Sequence, residues 1–320
     1  MKSIEILSPK NQLLLYNYDK YFTSFIKLFS NNKLPNSILL TGSKGIGKAT
    51  FAYHFINYLL SYKEESKCSL DKFSINKDNK SYISICNNTH PNFHLIDSDF
   101  SDDSSKIENI RNVLKFLSKS TYSSNIKIVL IDNAENLNIN SSNALLKSLE
   151  EPSNNTFFFI INNNTYKLSN TIKSRCIEFK IFFSNNEKKA ILNNLAKQYI
   201  DDFDPGSIND SFFFDSPGNI LNYIKVFNIN SFDKKNDKLT YILHLIDKYK
   251  QKKDPNLLNF ISSFVELFYN ELSLKNNKNL NQIFYNKSKI MKKIDDAKKF
   301  NLDKNNLFTS ISGLLKNEKK

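Results

Sequence analysis

The chain has 320 residues, 40% of them hydrophobic and 13% aromatic, with 45 Lys and Arg against 32 Asp and Glu. That length suits two or three globular domains. No apolar run approaches the ~20 residues of a membrane span, and the N-terminal residues lack the apolar centre of a secretory signal, so a cytoplasmic protein with no membrane partner is expected.

The first apolar run, residues 37–41 (Ser-Ile-Leu-Leu-Thr), predicts a strand, and a helical pattern follows at 48–62. Between them lies Gly42-Ser43-Lys44-Gly45-Ile46-Gly47-Lys48-Ala49, a match to G-x-x-x-x-G-K that holds three of the chain's six glycines. Glycines let backbone N–H groups fold around phosphate oxygens, the helix N-terminus adds its dipole, and Lys48 reaches the terminal phosphates. Position 49, where a hydroxyl would hold Mg²⁺, is Ala, and Thr50 comes one residue late.

Residues 63–80 are polar enough to be a mobile insertion. Strands follow at about 93–97 and at 126–131, with a helix between them marked by Ile107, Ile110, Val113, Leu114 and Leu117. The second of these strands runs into Asp132-Asn133-Ala134-Glu135, placed as the acidic strand end of P-loop ATPases. Asp132 would hold Mg²⁺ there, and the next residue would activate water. That residue is Asn133, which cannot accept a proton, and Glu135 falls past the strand end.

A helix at 142–150 places Leu145, Leu146 and Leu149 on one face, Pro152 ends it, and 156–161 is a further strand. Apolar runs that are continuous rather than alternating, separated by helices, predict a parallel sheet covered on both faces. After about residue 181 amphipathic helices take over, at 188–199, 219–227, 238–250, 257–272 and 307–315, with breaks at Ser216-Pro217-Gly218 and at 231–237.

Only two of the basic residues are arginines, Arg111 and Arg175. Guanidinium offers a planar fork of donors that Lys lacks, which marks Arg175, in Ser174-Arg175-Cys176, as a candidate phosphate contact. Arg111, on the helix at 107–118, fits either a surface salt bridge or a contact with a neighbouring subunit or DNA. The lysines at 287, 289, 292, 293, 298 and 299 fit a solvated helix face or a DNA contact. The formal charge of +13 suits a polyanionic partner, but Lys is mixed with Asn, Asp and Ser throughout, as on a solvated surface.

Three scattered cysteines, Cys68, Cys86 and Cys176, fit a reducing compartment. Cys68 and Cys86, followed by His90 and His94, lack the close Cys pairs of structural zinc. No zinc is expected, and Cys176 reads as a packing residue.

The order Leu34-Pro35-Asn36-Ser37, the phosphate loop, the run from Asn143 to Pro152 ending Ser148-Leu149-Glu150-Glu151-Pro152, then Thr171-Ile172-Lys173-Ser174-Arg175-Cys176 and Ser216-Pro217-Gly218 resembles the clamp-loader branch of the AAA+ ATPases. Within that branch it is most similar to delta-prime-type subunits, over about residues 30 to 225. The resemblance implies a P-loop AAA+ α/β domain at 1–180, a small helical lid at 181–230 and an all-α collar domain at 231–320.

It also implies a largely rigid member of a pentamer with delta and gamma/tau subunits, which loads the sliding β clamp onto primed DNA. Arg175 would be an arginine finger acting in trans on a neighbour's ATP. Gly42, Ser43, Gly45, Ile46, Gly47, Lys48, Ala49, Thr50 and Asp132 would form a weakly occupied or vestigial ATP/Mg²⁺ site, with Asn162 or Asn163 as γ-phosphate sensor. The lid arginine that often follows Ser-Pro-Gly is here Asn219. An active motor of the gamma/tau type and another AAA+ replication ATPase, such as a helicase loader, are the alternatives.

Overall fold

A computed structural model of the chain describes residues 6–62, 64, 73–97, 103–119, 126–200, 215–227, 238–252, 255–275, 279–299 and 304–317. Cys68, half of the polar segment 63–80 and the break at 231–237 lie outside the described residues. The described residues up to Lys225 form one compact unit, and those from Val226 onward form a second.

The first unit is built on a five-stranded parallel sheet in the order β2-β3-β4-β1-β5. The strands are β1 (Ser37–Thr41), β2 (Phe93–Asp97), β3 (Lys127–Asp132), β4 (Thr156–Asn162) and β5 (Ile177–Lys180). Side chains alternate across a strand, and here both faces are apolar. Ile38, Leu40, Ile128, Leu130, Phe157, Phe159 and Ile161 pack with α1 (Asp19–Ser30) and α2 (Lys48–Leu60) on one face. Leu39, Val129, Ile131, Phe158 and Ile160 pack on the other face with Ile110 and Val113 of α4 (Asp103–Ser118) and Leu145 and Leu149 of α5 (Ile139–Glu150). This two-sided burial is what the continuous apolar runs predict. Edge strand β5 differs: Ile177-Glu178-Phe179-Lys180 alternates and is only partly buried, which is why no apolar run announces it.

Helix starts are set by polar caps. Asn79 accepts from Tyr82 N at 2.7 Å at the start of α3 (Lys80–Cys86), and Asn138 accepts from Ser141 N at 2.8 Å at the start of α5. Ser184 and Glu187 form a capping box on α7 (Asn185–Tyr199). A short helix α6 (Asn170–Lys173) precedes β5, and α8 (Pro217–Phe227) follows α7. Among described residues with positive φ, Asn17, Asn32, Asn88, Asn133, Asn155 and Asn164 stand where many chains use glycine. Asn tolerates the left-handed region because its short amide bonds locally, so a chain rich in Asn makes these turns with few glycines.

The second unit is helical: α9 (Lys238–Lys252), α10 (Pro255–Lys275), α11 (Leu280–Lys299) and α12 (Lys304–Asn317). Ile242, Leu245, Ile261, Phe264, Ile290, Ile294, Phe308 and Ile311 are fully buried, matching the apolar helix faces read from the sequence. No described helix is long and apolar enough to cross a membrane.

Candidate functional site

Strand register lines up the carboxyl ends of the sheet. Asp97 pairs with Asp132, and Thr41 pairs with Asn162. In open parallel sheets this edge is where ligands bind. The phosphate loop leaves β1 here, with Gly42 N donating to Asn162 O at 3.3 Å. Gly45 and Gly47 take φ of 80° and 102°, which side chains other than glycine rarely adopt, and Gly47 caps α2.

Lys48 is buried, and its ammonium donates to the carbonyls of Gly42 and Ser43, both at 2.8 Å. Burial lowers its pKa to about 8, opposed by the charges of Glu135 and Asp132. Tyr18 Oη donates to Ile46 O at 3.1 Å. Lys44 to Thr50, Asp132, Asn133 and Asn163 line one cavity of about 410 Å³, within the range of small-molecule sites. Ala49 offers no hydroxyl, and the carbonyl of Thr50 lies 2.9 Å from His54 Nδ1.

Beyond β3 the side chains are committed to one another. Asn133 Nδ2 donates to Asp97 Oδ1 at 3.3 Å, Asn133 N donates to Asp132 Oδ1 at 2.9 Å, and Asn133 Oδ1 accepts from Asn163 Nδ2 at 2.6 Å. Glu135, buried in the turn Ala134–Asn136, accepts from Asn163 N at 3.1 Å and Thr165 Oγ1 at 2.9 Å. Its carboxylate therefore anchors the loop after β4. Of the two candidate sensors, Asn163 lines the cavity, whereas the amide of Asn162 bonds within its own turn to Asn164, at 3.0 and 3.1 Å. Asp97 was missed by sequence reasoning. Its one signal is an acid closing a strand, and only register with Asp132 gives that meaning.

Helix α8 closes over the loop. Gly218 N donates to Gly45 O at 3.0 Å. A Cβ on Gly218 would lie 2.6 Å from Gly45 O, and one on Gly45 would lie 2.5 Å from Ser216 Oγ. Both glycines are needed for this approach. Asn219 Nδ2 donates to Asp215 Oδ1 at 2.9 Å, and Asn219 N donates to Ser216 Oγ at 3.3 Å, so Ser216 caps the helix and position 219 supplies no positive charge.

Arg175 follows α6 at the surface, away from these groups in the fold. Its Nε donates to Glu150 Oε1 at 2.6 Å, its Nη1 donates to Thr171 O at 2.9 Å, and its Nη2 pairs with Glu150 as well. The side chain remains 27% exposed. Cys176 is a free thiol whose pKa burial pushes up to about 12, the opposite of an activated nucleophile. Arg111 is exposed on α4.

Cys86 Sγ donates to Lys10 O at 3.3 Å, His90 Nδ1 accepts from Asn92 N at 3.2 Å, and His94 stacks on Phe116 at 5.4 Å between ring centroids. Among the described residues no group of three or more His, Cys, Asp or Glu could hold a metal ion.

A five-stranded parallel sheet with the phosphate loop after β1, an acid at the end of β3 and helices on both faces is the P-loop domain of the AAA+ class. A sequence profile for the DNA polymerase III, delta subunit, matches residues 18–185, more than half of the chain, and the chain belongs to this family of clamp-loader proteins.

DNA polymerase III subunit delta' of Pseudomonas aeruginosa is 31% identical over 143 residues, 45% of this chain and 42% of its own length. The subunit delta' of Buchnera aphidicola is 27% identical over 252 residues, 76% of this chain and 68% of its own. The subunit gamma of the same Buchnera strain is 30% identical over 57% of this chain and 51% of its own. The chain thus spans less than half the length of the Pseudomonas relative. A solved DNA polymerase III gamma-subunit-related protein from Thermotoga maritima aligns over 92% of this chain and 99% of its own at 14% identity, with a TM-score of 0.45.

Proposed function

We propose that this chain is a delta-prime-like subunit of a pentameric clamp loader, working in the cytoplasm with delta and gamma/tau subunits to place the sliding β clamp on primed DNA. In this reading the subunit is largely rigid and Arg175 completes the ATP site of a neighbour. The carrying observation is the contrast between two positions. Asn133, where a P-loop ATPase needs a base, has its amide committed to Asp97 and Asn163 inside the fold, whereas Arg175 is a part-exposed guanidinium whose partner is the exposed carboxylate of Glu150, which it would exchange for a neighbour's phosphate.

Its own nucleotide site is weakly occupied. The loop amides, the start of α2 and Lys48 fit phosphates, and Asp132 fits the Mg²⁺ that would neutralise charge on them, but Ala49 leaves the metal one ligand short. The carbonyls of Gly42 and Ser43 use two of the three N–H groups of the Lys48 ammonium, and phosphates would compete with them for the charge. The alternative of an active gamma/tau-type motor draws on the retained loop and on similarity to a subunit gamma. An amide at 133 opposes it, because amide oxygen has no useful basicity at neutral pH.

A guanidinium placed in trans stabilises charge on the transferred phosphoryl group and is worth on the order of 10³-fold or more at the site it serves. The test is the DNA- and clamp-stimulated ATPase rate of an assembly reconstituted with cognate motor and delta subunits, comparing this chain with Arg175→Ala. The expected result is loss of that site's share of turnover with the variant still assembling. An unchanged rate removes the finger.

A further inference from the structure

The cavity at the phosphate loop is also lined by the apolar side chains of Ile6, Leu7, Pro9, Leu15, Leu195 and Leu221. A nucleotide whose phosphates lie on the loop would extend its base toward these walls, since flat heteroaromatic rings fit apolar sites that carry a few oriented polar groups.

Gln12 lines this cavity and is 7% exposed. Its Nε2 donates to Leu7 O at 3.0 Å and to Tyr199 Oη at 2.5 Å. A carbonyl oxygen accepts only, so the contact with Leu7 fixes which end of the amide is nitrogen. Both N–H groups are thereby used. What remains is Oε1, buried and with no hydrogen-bond partner among the described residues. A buried acceptor without a donor is costly, and it favours a ligand that brings one.

We infer that Gln12 reads the base of a nucleotide in this cavity, accepting a hydrogen bond from the exocyclic amine of a 6-aminopurine and disfavouring 6-oxopurines. The inference rests on the reading that the cavity takes a nucleotide at all. The chemistry is one-sided. The adenine amine is a donor that satisfies Oε1, whereas the 6-oxygen of hypoxanthine or guanine is an acceptor that leaves it unpaired and repels it. The amide cannot turn over to suit the second case, because that would set Oε1 against the carbonyl of Leu7, which only accepts. Tyr199 lies on α7, so the same amide links the segment before α1 to the helices after the sheet.

The test is equilibrium binding of ATP and of inosine triphosphate to the full chain with Mg²⁺, with Lys48→Ala identifying loop-dependent binding. Sites built around a hydrogen bond to the substrate reject analogues that lack it, so ATP is expected to bind about tenfold or more tightly than inosine triphosphate. Gln12→Leu should narrow that ratio to under about threefold.

Equal affinities for the two nucleotides in the parent chain, both lost in Lys48→Ala, would overturn the role of Gln12 and leave nucleotide binding intact. Failure of both nucleotides to bind at millimolar concentration would overturn the underlying reading and this inference with it. If Gln12→Leu does not fold, the comparison of the two nucleotides on the parent chain decides alone.

Discussion

Gly218→Ala sets two local effects against each other. Gly218 is the second residue of α8, and helix propensity alone makes Ala better there by about 0.8–1.0 kcal/mol. The added Cβ, however, would lie 2.6 Å from Gly45 O and 3.2 Å from Gly45 Cα. Both are backbone atoms of a residue held at a φ of 80°, so neither can swing aside as a flexible side chain would.

Reaching ordinary contact requires the helix start to move out by about 0.8 Å, which takes the 3.0 Å bond from Gly218 N to Gly45 O beyond useful length. Loss of that bond is worth about 1 kcal/mol, and overpacking adds about 1–3 kcal/mol. Less the propensity gain, the net loss is about 1–3 kcal/mol, or a fall of about 3–10 °C in Tm for a unit of this size.

The control is Gly313→Ala in α12, where an added Cβ meets nothing within 4 Å. Propensity then acts unopposed and a gain of about 0.5–1 kcal/mol is expected. Thermal unfolding of both variants, with hydrogen exchange of peptides covering residues 42–48, measures the difference. If Gly218→Ala proved as stabilising as Gly313→Ala, with exchange at the loop unchanged, the close approach of α8 to the loop would be wrong.

Burial holds the His54 pKa down at about 4 against an ordinary 6.5. Between those values the unfolded chain binds a proton there and the folded chain does not. Stability therefore falls as pH drops from 6.5 to 4, by up to about 3 kcal/mol. His54→Gln should flatten that part of the urea-unfolding profile, since His90 and His94 titrate in both proteins and cancel; an unchanged profile would mean that His54 is hydrated. The Arg175–Glu150 pair is partly exposed, at 27% and 49%, so Glu150→Gln should cost under about 1 kcal/mol and less at high salt. A loss above about 2 kcal/mol in chemical denaturation would show that the pair is shielded from water.

Local signals reached some parts of this site and not others. The phosphate loop, β1 and the acid at 132 were legible because each is a contiguous motif whose chemistry depends on neighbours in sequence. The two-sided sheet was legible from continuous apolar runs. Asp97 was not, since its meaning comes from a register partner in β3, 35 residues away. Nor could spacing choose between Asn162 and Asn163, because neighbours on a strand end point in opposite directions, and only the fold shows that the Asn162 amide turns to Asn164 while Asn163 lines the cavity with its amide on Asn133. Glu150 as the partner of Arg175 depends on α5 and α6 packing together. Gln12 lies in a segment with no periodicity, and its fixed amide emerges only from contacts to Leu7 and Tyr199.

The state of position 133 follows from its surroundings as much as from its own side chain. The residue takes a φ of 54°, which Asn accepts more readily than Glu. Its amide is used from both ends, donating to a carboxylate at Asp97 and accepting from Asn163. A Glu at 133 would lose the donor, set a second negative charge against Asp97 and occupy a backbone conformation that it tolerates poorly. Restoring an acid at that one position would thus raise the pKa of the Asp97–Glu pair through like-charge repulsion and disturb the turn that carries Asn163, before any water could be activated. The hydrogen bonds of Asp97, Asn133, Asn163 and Glu135 interlock around the amide at 133, and a carboxylate there would require those partners to change together.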